Sequence, residues 1–281
     1  MSLADDFQAP PQPRRSGRAG GRQARRDMRA APLTEDIRPI RAGMQGGNYQ
    51  PFSPAQVEQV HEAVLDVLEN IGLSQATPTC IEACESVGAI YSEDGRLRFP
   101  RKVVLDTVAN AIRDFALHGR EEKHDLHPQG NKVHFGTAGA AVHIVDVEKN
   151  EYRESYLKDI YDAARIVDTL DNIHFFQRPM VARDVVDPDE LDLNTLYACV
   201  SGTSKHIGTS FTLPDVVPKA LEILYRIAGG EEAFRSRPFV SNTNCFVVPP
   251  LRFAPDASDV LEQCVKGGMP ILLLSAGQAG A

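Results

Sequence analysis

The sequence has no tryptophan and only five cysteines, Cys80, Cys84, Cys199, Cys245 and Cys264, none of them in a C-x-x-C pair. So sparse and odd a set argues against a disulfide framework or a four-cysteine zinc site and fits a reducing, cytoplasmic setting. No apolar run approaches the 18 or so residues of a membrane-spanning helix. The first forty residues lack the apolar segment of a signal peptide. P-loop, H-E-x-x-H and G-x-G-x-x-G patterns are missing, as is any recognisable Ser-His-Asp arrangement. What is present is the balance of a soluble globular protein, 42 % hydrophobic and 24 % charged over 281 residues.

The net charge of -8 is unevenly spread. Residues 1–32 carry seven arginines (Arg14, Arg15, Arg18, Arg22, Arg25, Arg26, Arg29) against three aspartates, a local +4 that leaves -12 for the rest. This stretch of Arg, Gly and Pro has no apolar periodicity, so residues 1–50 read as a basic arm with little surface to bury. A nucleic-acid role is disfavoured, because residues 8–32 offer no aromatic ring to stack a base. A solvated tail, or one that docks on the acidic body or on a neighbouring subunit, is the simpler reading.

Residues 51–130 read as a helical subdomain with a small hairpin. Ser53-Pro54-Ala55-Gln56 forms a helix start with Ser53 as N-cap and Gln56 closing a capping box. Val57, Val60, Val64, Leu68 and Ile71 follow at helical spacing until Gly72. Thr77-Pro78 opens a second helix, Ser92-Glu93-Asp94-Gly95 turns a hairpin, and a third helix after Pro100 carries Val104, Val108, Ile112 and Phe115 on one face.

From Val133 on, apolar runs beginning near Val133, Ile173, His206, Phe239 and Met269 alternate with helical stretches near 155–170, 187–201, 214–228 and 254–266. The last three steps are each about 32 residues, the length of a β-α unit. Residues 142–154 read as an inserted hairpin. Such alternation predicts an α/β fold with a parallel sheet covered by helices. Gly136-Thr137-Ala138-Gly139 leads into the hairpin rather than a helix, which counts against a dinucleotide-binding fold, and the even spacing favours a (β/α)8 TIM-type barrel with an N-terminal helical extension. Eight units would run to about residue 400 at roughly 32 residues each. Residues 131–281 are therefore expected to be the first five or so units of a truncated barrel, with open strand edges that favour self-association into a homo-oligomer.

Several motifs in this order resemble the trimethylamine methyltransferase family. They are the Arg-rich arm, Gly46-Gly47-Asn48-Tyr49, the stretch His61-Glu62-Ala63-Val64-Leu65-Asp66-Val67-Leu68-Glu69-Asn70-Ile71-Gly72, then Val133-His134-Phe135-Gly136-Thr137-Ala138-Gly139, Asp171-Asn172-Ile173-His174-Phe175, Ser204-Lys205-His206 and Ala279-Gly280-Ala281. The resemblance runs from about Arg14 to the end. It implies a barrel enzyme that passes a methyl group from a methylated amine to the cobalt of a separate, cognate corrinoid protein, with no cofactor held by the chain itself. One branch of that family carries pyrrolysine and uses trimethylamine; the larger branch uses quaternary amines such as glycine betaine, and this chain is assigned to the latter. The pyrrolysine position and the catalytic residues are expected beyond residue 281.

A quaternary ammonium wants aromatic faces and a carboxylate, and a betaine carboxylate wants arginine or backbone N–H groups. In such barrels the working residues stand at the C-terminal ends of the strands. That rule selects Thr137 on the first strand, Gln177 and Arg178 on the second, Phe211 on the third, Asn242 and Asn244 on the fourth, and Ser275 at the end of the fifth. His174 and His206 fall near strand starts and read as structural. His124 and His127 lack a third ligand, so no metal site is expected. Two other functions compete: a Schiff-base lyase or aldolase on the same fold, against which no strand end carries a lysine, and a non-enzymatic binder using the basic arm.

Overall fold

The computed structural model describes residues 43–47 and 49–274, together with Arg26 and Ala31. Most of the basic arm, Ser275 and the closing Ala279-Gly280-Ala281 lie outside the described residues. The chain divides into two units, residues 1–39 and 40–281; the following concerns the second. A short strand β1 (Met44–Gln45) leads to helix α1 (Pro54–Asp66). Its start is built as the sequence predicts. Ser53 Oγ accepts from the Gln56 N–H, and Gln56 Oε1 accepts from the Ser53 N–H at 2.9 Å. The helix widens into a π-turn over Val67–Ile71 and stops at Gly72. Gly72 has φ +68°, and a Cβ there would sit 2.3 Å from the Leu97 carbonyl oxygen, so only glycine fits this exit.

Next come β2 (Leu73–Ser74), α2 (Pro78–Glu85), the hairpin strands β3 (Ile90–Tyr91) and β4 (Arg96–Arg98), and α3 (Arg101–Asn110). Arg101 ties α3 to α1 through Glu62 at 2.6 Å and to the π-turn through Glu69 at 3.3 Å. Two expectations change here. Helix α3 ends before Ile112 and Phe115, which are exposed, as is Val108. The stripe of Val57, Val60 and Val64 on α1 also faces outward, Val60 being 57 % exposed. The periodicity reports an amphipathic helix correctly, but within the described residues the apolar stripe is uncovered.

Strand β5 (Lys132–Val133) pairs antiparallel with β1, and β6 (His143–Asp146) and β7 (Glu151–Glu154) form the inserted hairpin. Arg153 on β7 reaches Asp146 at 3.1 Å and Asp159 at 2.8 Å, clamping the hairpin to helix α4 (Leu157–Asp168). The chain then alternates: β8 (Phe176–Gln177), α5 (Pro188–Gly202), β9 (Ile207–Thr209), α6 (Val217–Ala228) with the short α7 (Glu231–Ser236), β10 (Val240–Asn244), α8 (Pro255–Lys266) and β13 (Ile271–Leu273). An additional hairpin, β11 (Val247–Val248) and β12 (Arg252–Phe253), follows β10.

Strands β8, β9, β10 and β13 form one parallel sheet in chain order, with no reversal. Gly136 bridges Phe175 in parallel, extending the same order by one step towards the first run. The fold is thus mixed α/β with β/α units side by side; the described residues do not close a barrel. Phe176, Ile207 and Val240 are fully buried and pack against Ile160, Leu196, Leu224 and Val260 of the helices. A smaller core of Leu73, Ala89 and Leu97 is completed by Phe253, because β12 pairs with β2. The late hairpin therefore adds two strands to the sheet of residues 73–98.

Helices α4 and α5 pack closely at Gly202, where a Cβ would meet Ala164 Cβ at 2.5 Å and the Tyr161 oxygen at 3.0 Å. Gly202→Ala is expected to cost about 1–3 kcal/mol through overpacking. Urea titration of the variant checks this, and an unchanged midpoint would contradict the close approach.

Candidate functional site

Strand alternation sorts the six candidates into two groups. Since Phe176, Ile207 and Val240 face the helices, their neighbours Gln177, Gly208, Ser241 and Thr243 stand on the opposite, open face of the sheet, open in carrying none of those helices; Gly208 and Ser241 are buried there, Gln177 and Thr243 half-buried. On that face the Thr137 hydroxyl donates to the Gln177 carbonyl oxygen at 2.5 Å. The Gln177 side chain crosses β9 above Gly208, and its Nε2 donates to Thr243 Oγ1 at 2.9 Å. A Cβ on Gly208 would lie 1.8 Å from Gln177 Oε1, so the crossing depends on glycine. Side chains thereby tie the Thr137 segment to β8 and β8 to β10 across β9, with Phe175 one pleat below.

Arg178, one residue on, turns the other way. It lies near Asp192 and Cys199 of α5, and its Nη2 donates to Ser210 Oγ at 2.7 Å. Burial presses its pKa below the usual guanidinium range, against the opposing pull of Cys199 and Asp192. Burial also raises Asp192, partly offset by the Thr212 N–H, which donates to Asp192 Oδ2 at 2.6 Å. Asn244 has the same parity as Val240, and its Nδ2 donates to the Ala257 oxygen in α8 at 2.9 Å. Asn242 shares that parity, is fully buried, and neither of its amide atoms has a partner among the described residues. Phe211 belongs to the helix-side apolar core. The structure thus brings Thr137 and Gln177 together on the open face and places Arg178, Asn242, Asn244 and Phe211 between sheet and helices.

Strand ends alone do not select Thr243, although its shared parity with Ser241 and the polar run Ser241-Asn242-Thr243-Asn244 are legible in the sequence. The missing signal was the direction of the strand's faces. A strand polar on both sides does not reveal which side meets the helices.

The lower end of the open face is structural. His206 Nδ1 lies 2.9 Å from the His118 oxygen, which can only accept, so Nδ1 carries the proton and Nε2 accepts from Ser241 Oγ at 3.0 Å. Burial pushes its pKa down to about 4. The Lys205 ammonium is buried and donates to the oxygens of Val167, Leu170 and Ile173, closing the end of α4. Asp168 accepts from the Ser204 N–H at 2.7 Å and from the Thr203 hydroxyl at 2.8 Å. The Ser204-Lys205-His206 motif is therefore a helix cap and a strand anchor. Among the described residues no cluster of three or more His, Cys, Asp or Glu could hold a metal ion, and no helix is long and apolar enough to cross a membrane.

Comparison with known proteins adds a second line of observation. Residues 18–281 match the family model described as trimethylamine methyltransferase (MTTB). The trimethylamine methyltransferase MttB of Desulfitobacterium hafniense is 28 % identical over 243 residues, covering 85 % of this chain and 48 % of that one. A glycine betaine methyltransferase from another strain of the same species is 22 % identical over 234 residues, covering 83 % and 48 %. A solved structure of a hydroxylamine complex of MtmB overlaps 79 % of this chain and 45 % of that one, with TM-score 0.47 and 11 % identity. The chain spans about half the length of the curated relatives it matches.

Proposed function

Since the chain belongs to the trimethylamine methyltransferase family, we propose that it contributes the first half of a (β/α)8 barrel that moves a methyl group from a small methylated amine to a corrinoid carried by a separate protein. The observation that carries this reading is the family match over residues 18–281. The parallel, unreversed order of β8, β9, β10 and β13 is what that barrel requires.

The proposed donor is trimethylamine or a quaternary amine such as glycine betaine; relatives named for both substrates align with this chain. Reduced cobalt on the partner protein supplies the nucleophile. The chain's own task is to hold one N-methyl group in line, and positioning of this kind can lower a barrier by about 7–11 kcal/mol. A quaternary nitrogen is already cationic and leaves as a neutral amine, so no proton donor is needed from the chain. The open face offers neutral oxygen and an aromatic ring, from Thr137, Gln177, Thr243 and Phe175, which suit such a cation. Lys205 is committed to three carbonyls at the end of α4, which leaves the Schiff-base alternative without support from it.

The test is turnover by the full-length gene product with cob(I)alamin and a panel of trimethylamine, glycine betaine, choline and carnitine. Loss of the cob(I)alamin spectrum with one of these amines is expected. No methylation from any of them would sink the proposal.

A further inference from the structure

Gln177 is half-buried at the end of β8, flanked on the open face by Gly208 of β9 and Thr243 of β10. Its Nε2 is spent on Thr243 Oγ1 at 2.9 Å, while its Oε1 lies above Gly208 and accepts no hydrogen bond from the described residues. The amide is held from both ends: Thr137 ties down the Gln177 backbone oxygen and Thr243 the side-chain nitrogen.

Resting on the methyl-transfer reading, we infer that Gln177 Oε1 receives the N-methyl groups of the amine, and that Thr243 and Gly208 are positioning residues that keep this oxygen turned to the substrate. A fully methylated nitrogen has no N–H to offer. Its charge is displayed on the methyl hydrogens, which are met by C–H···O contacts to an oxygen dipole. The open-face residues Phe175, Gln177, Gly208, Ser241 and Thr243 include no carboxylate, so the amide oxygen is the strongest acceptor there that is not already engaged. The Thr243 contact holds the nitrogen end of the amide over β10, while its oxygen lies over Gly208. Gly208 leaves free the space that the amide oxygen fills, and fixing a glutamine in advance spares the rotamer entropy that binding would otherwise cost.

The test uses steady-state kinetics of the full-length protein, varying amine and cob(I)alamin separately. Thr243→Val is expected to lower kcat/KM for the amine about 2–10-fold, the worth of one hydrogen bond, with Thr243→Ser restoring it. Gly208→Ala is expected to lower it about 100-fold by moving the amide on the scale of 1 Å. In both variants the KM for cob(I)alamin should stay unchanged, which general structural damage would not allow. If Gly208→Ala does not fold, the Thr243→Val and Thr243→Ser pair still decides. An active wild type whose amine kinetics are untouched by Thr243→Val overturns this inference alone. A wild type inert towards every amine overturns the methyl-transfer reading beneath it.

Discussion

Replacing Phe176 with alanine is expected to lower the unfolding free energy by about 3–5 kcal/mol. Phe176 has no exposed surface and sits in β8, an end strand of the four-stranded parallel sheet, with Ile207 beside it and Ile160 and Leu196 across the helix interface. Removing the ring loses both its transfer from water and the contacts of the walls around it, and a tightly packed layer relaxes only in part. A domain of this size should then melt roughly 10 °C lower. Phe176→Leu keeps most of the volume and should lose less than half as much. Guanidinium titration of the two variants is the check, and a loss below about 1 kcal/mol for Phe176→Ala would show that the side chain does not lie between sheet and helices. That outcome would also remove the reason for placing Gln177 on the open face, because the two residues are adjacent and alternate.

Acidification is expected to weaken the fold between about pH 6.5 and pH 4, with His206 the largest single histidine contribution. In the unfolded chain this imidazole titrates at its ordinary 6.5; in the fold, burial brings it down to about 4. The folded state therefore resists protonation. Its full stability is present above pH 6.5, declines as the pH falls towards 4, and the contribution is exhausted below that. A shift of this size corresponds to about 3 kcal/mol. His124, His134 and His174 are also lowered, chiefly by burial, and act in the same direction. His206→Asn retains a donor for the His118 oxygen but does not titrate. Its stability at pH 7 should be lower, since Ser241 loses its acceptor, while the slope between pH 6.5 and 4 should flatten. Equal slopes for the variant and the parent protein would exclude His206 as the source. The aspartates held low by their partners, such as Asp125 beside Arg237 and His118, extend the acid sensitivity to lower pH.

The same alternation that makes Phe176 a core residue explains why the candidate site could be read only in part. The rule that barrel sites lie at strand ends names Thr137 and Gln177, which meet on one face of the sheet, together with Arg178, Asn242, Asn244 and Phe211, which face the helix layer. In a strand polar on both faces, such as Ser241-Asn242-Thr243-Asn244, polarity alone does not tell one face from the other.

By itself the sequence determined the local elements and their order. Ser53 and Gln56 fix the start of α1, Asp187 with Pro188 fixes the start of α5, and Gly229 in its left-handed conformation ends α6. These depend on neighbours within a few residues, so they are written in short stretches of chain. The tertiary structure alone decided three things. It paired β12 with β2 across almost 180 residues, left the valine stripe of α1 facing outward, and turned Gln177 rather than Arg178 towards the open face. Each depends on which distant surface meets an element, and periodicity encodes the existence of a face without encoding its partner.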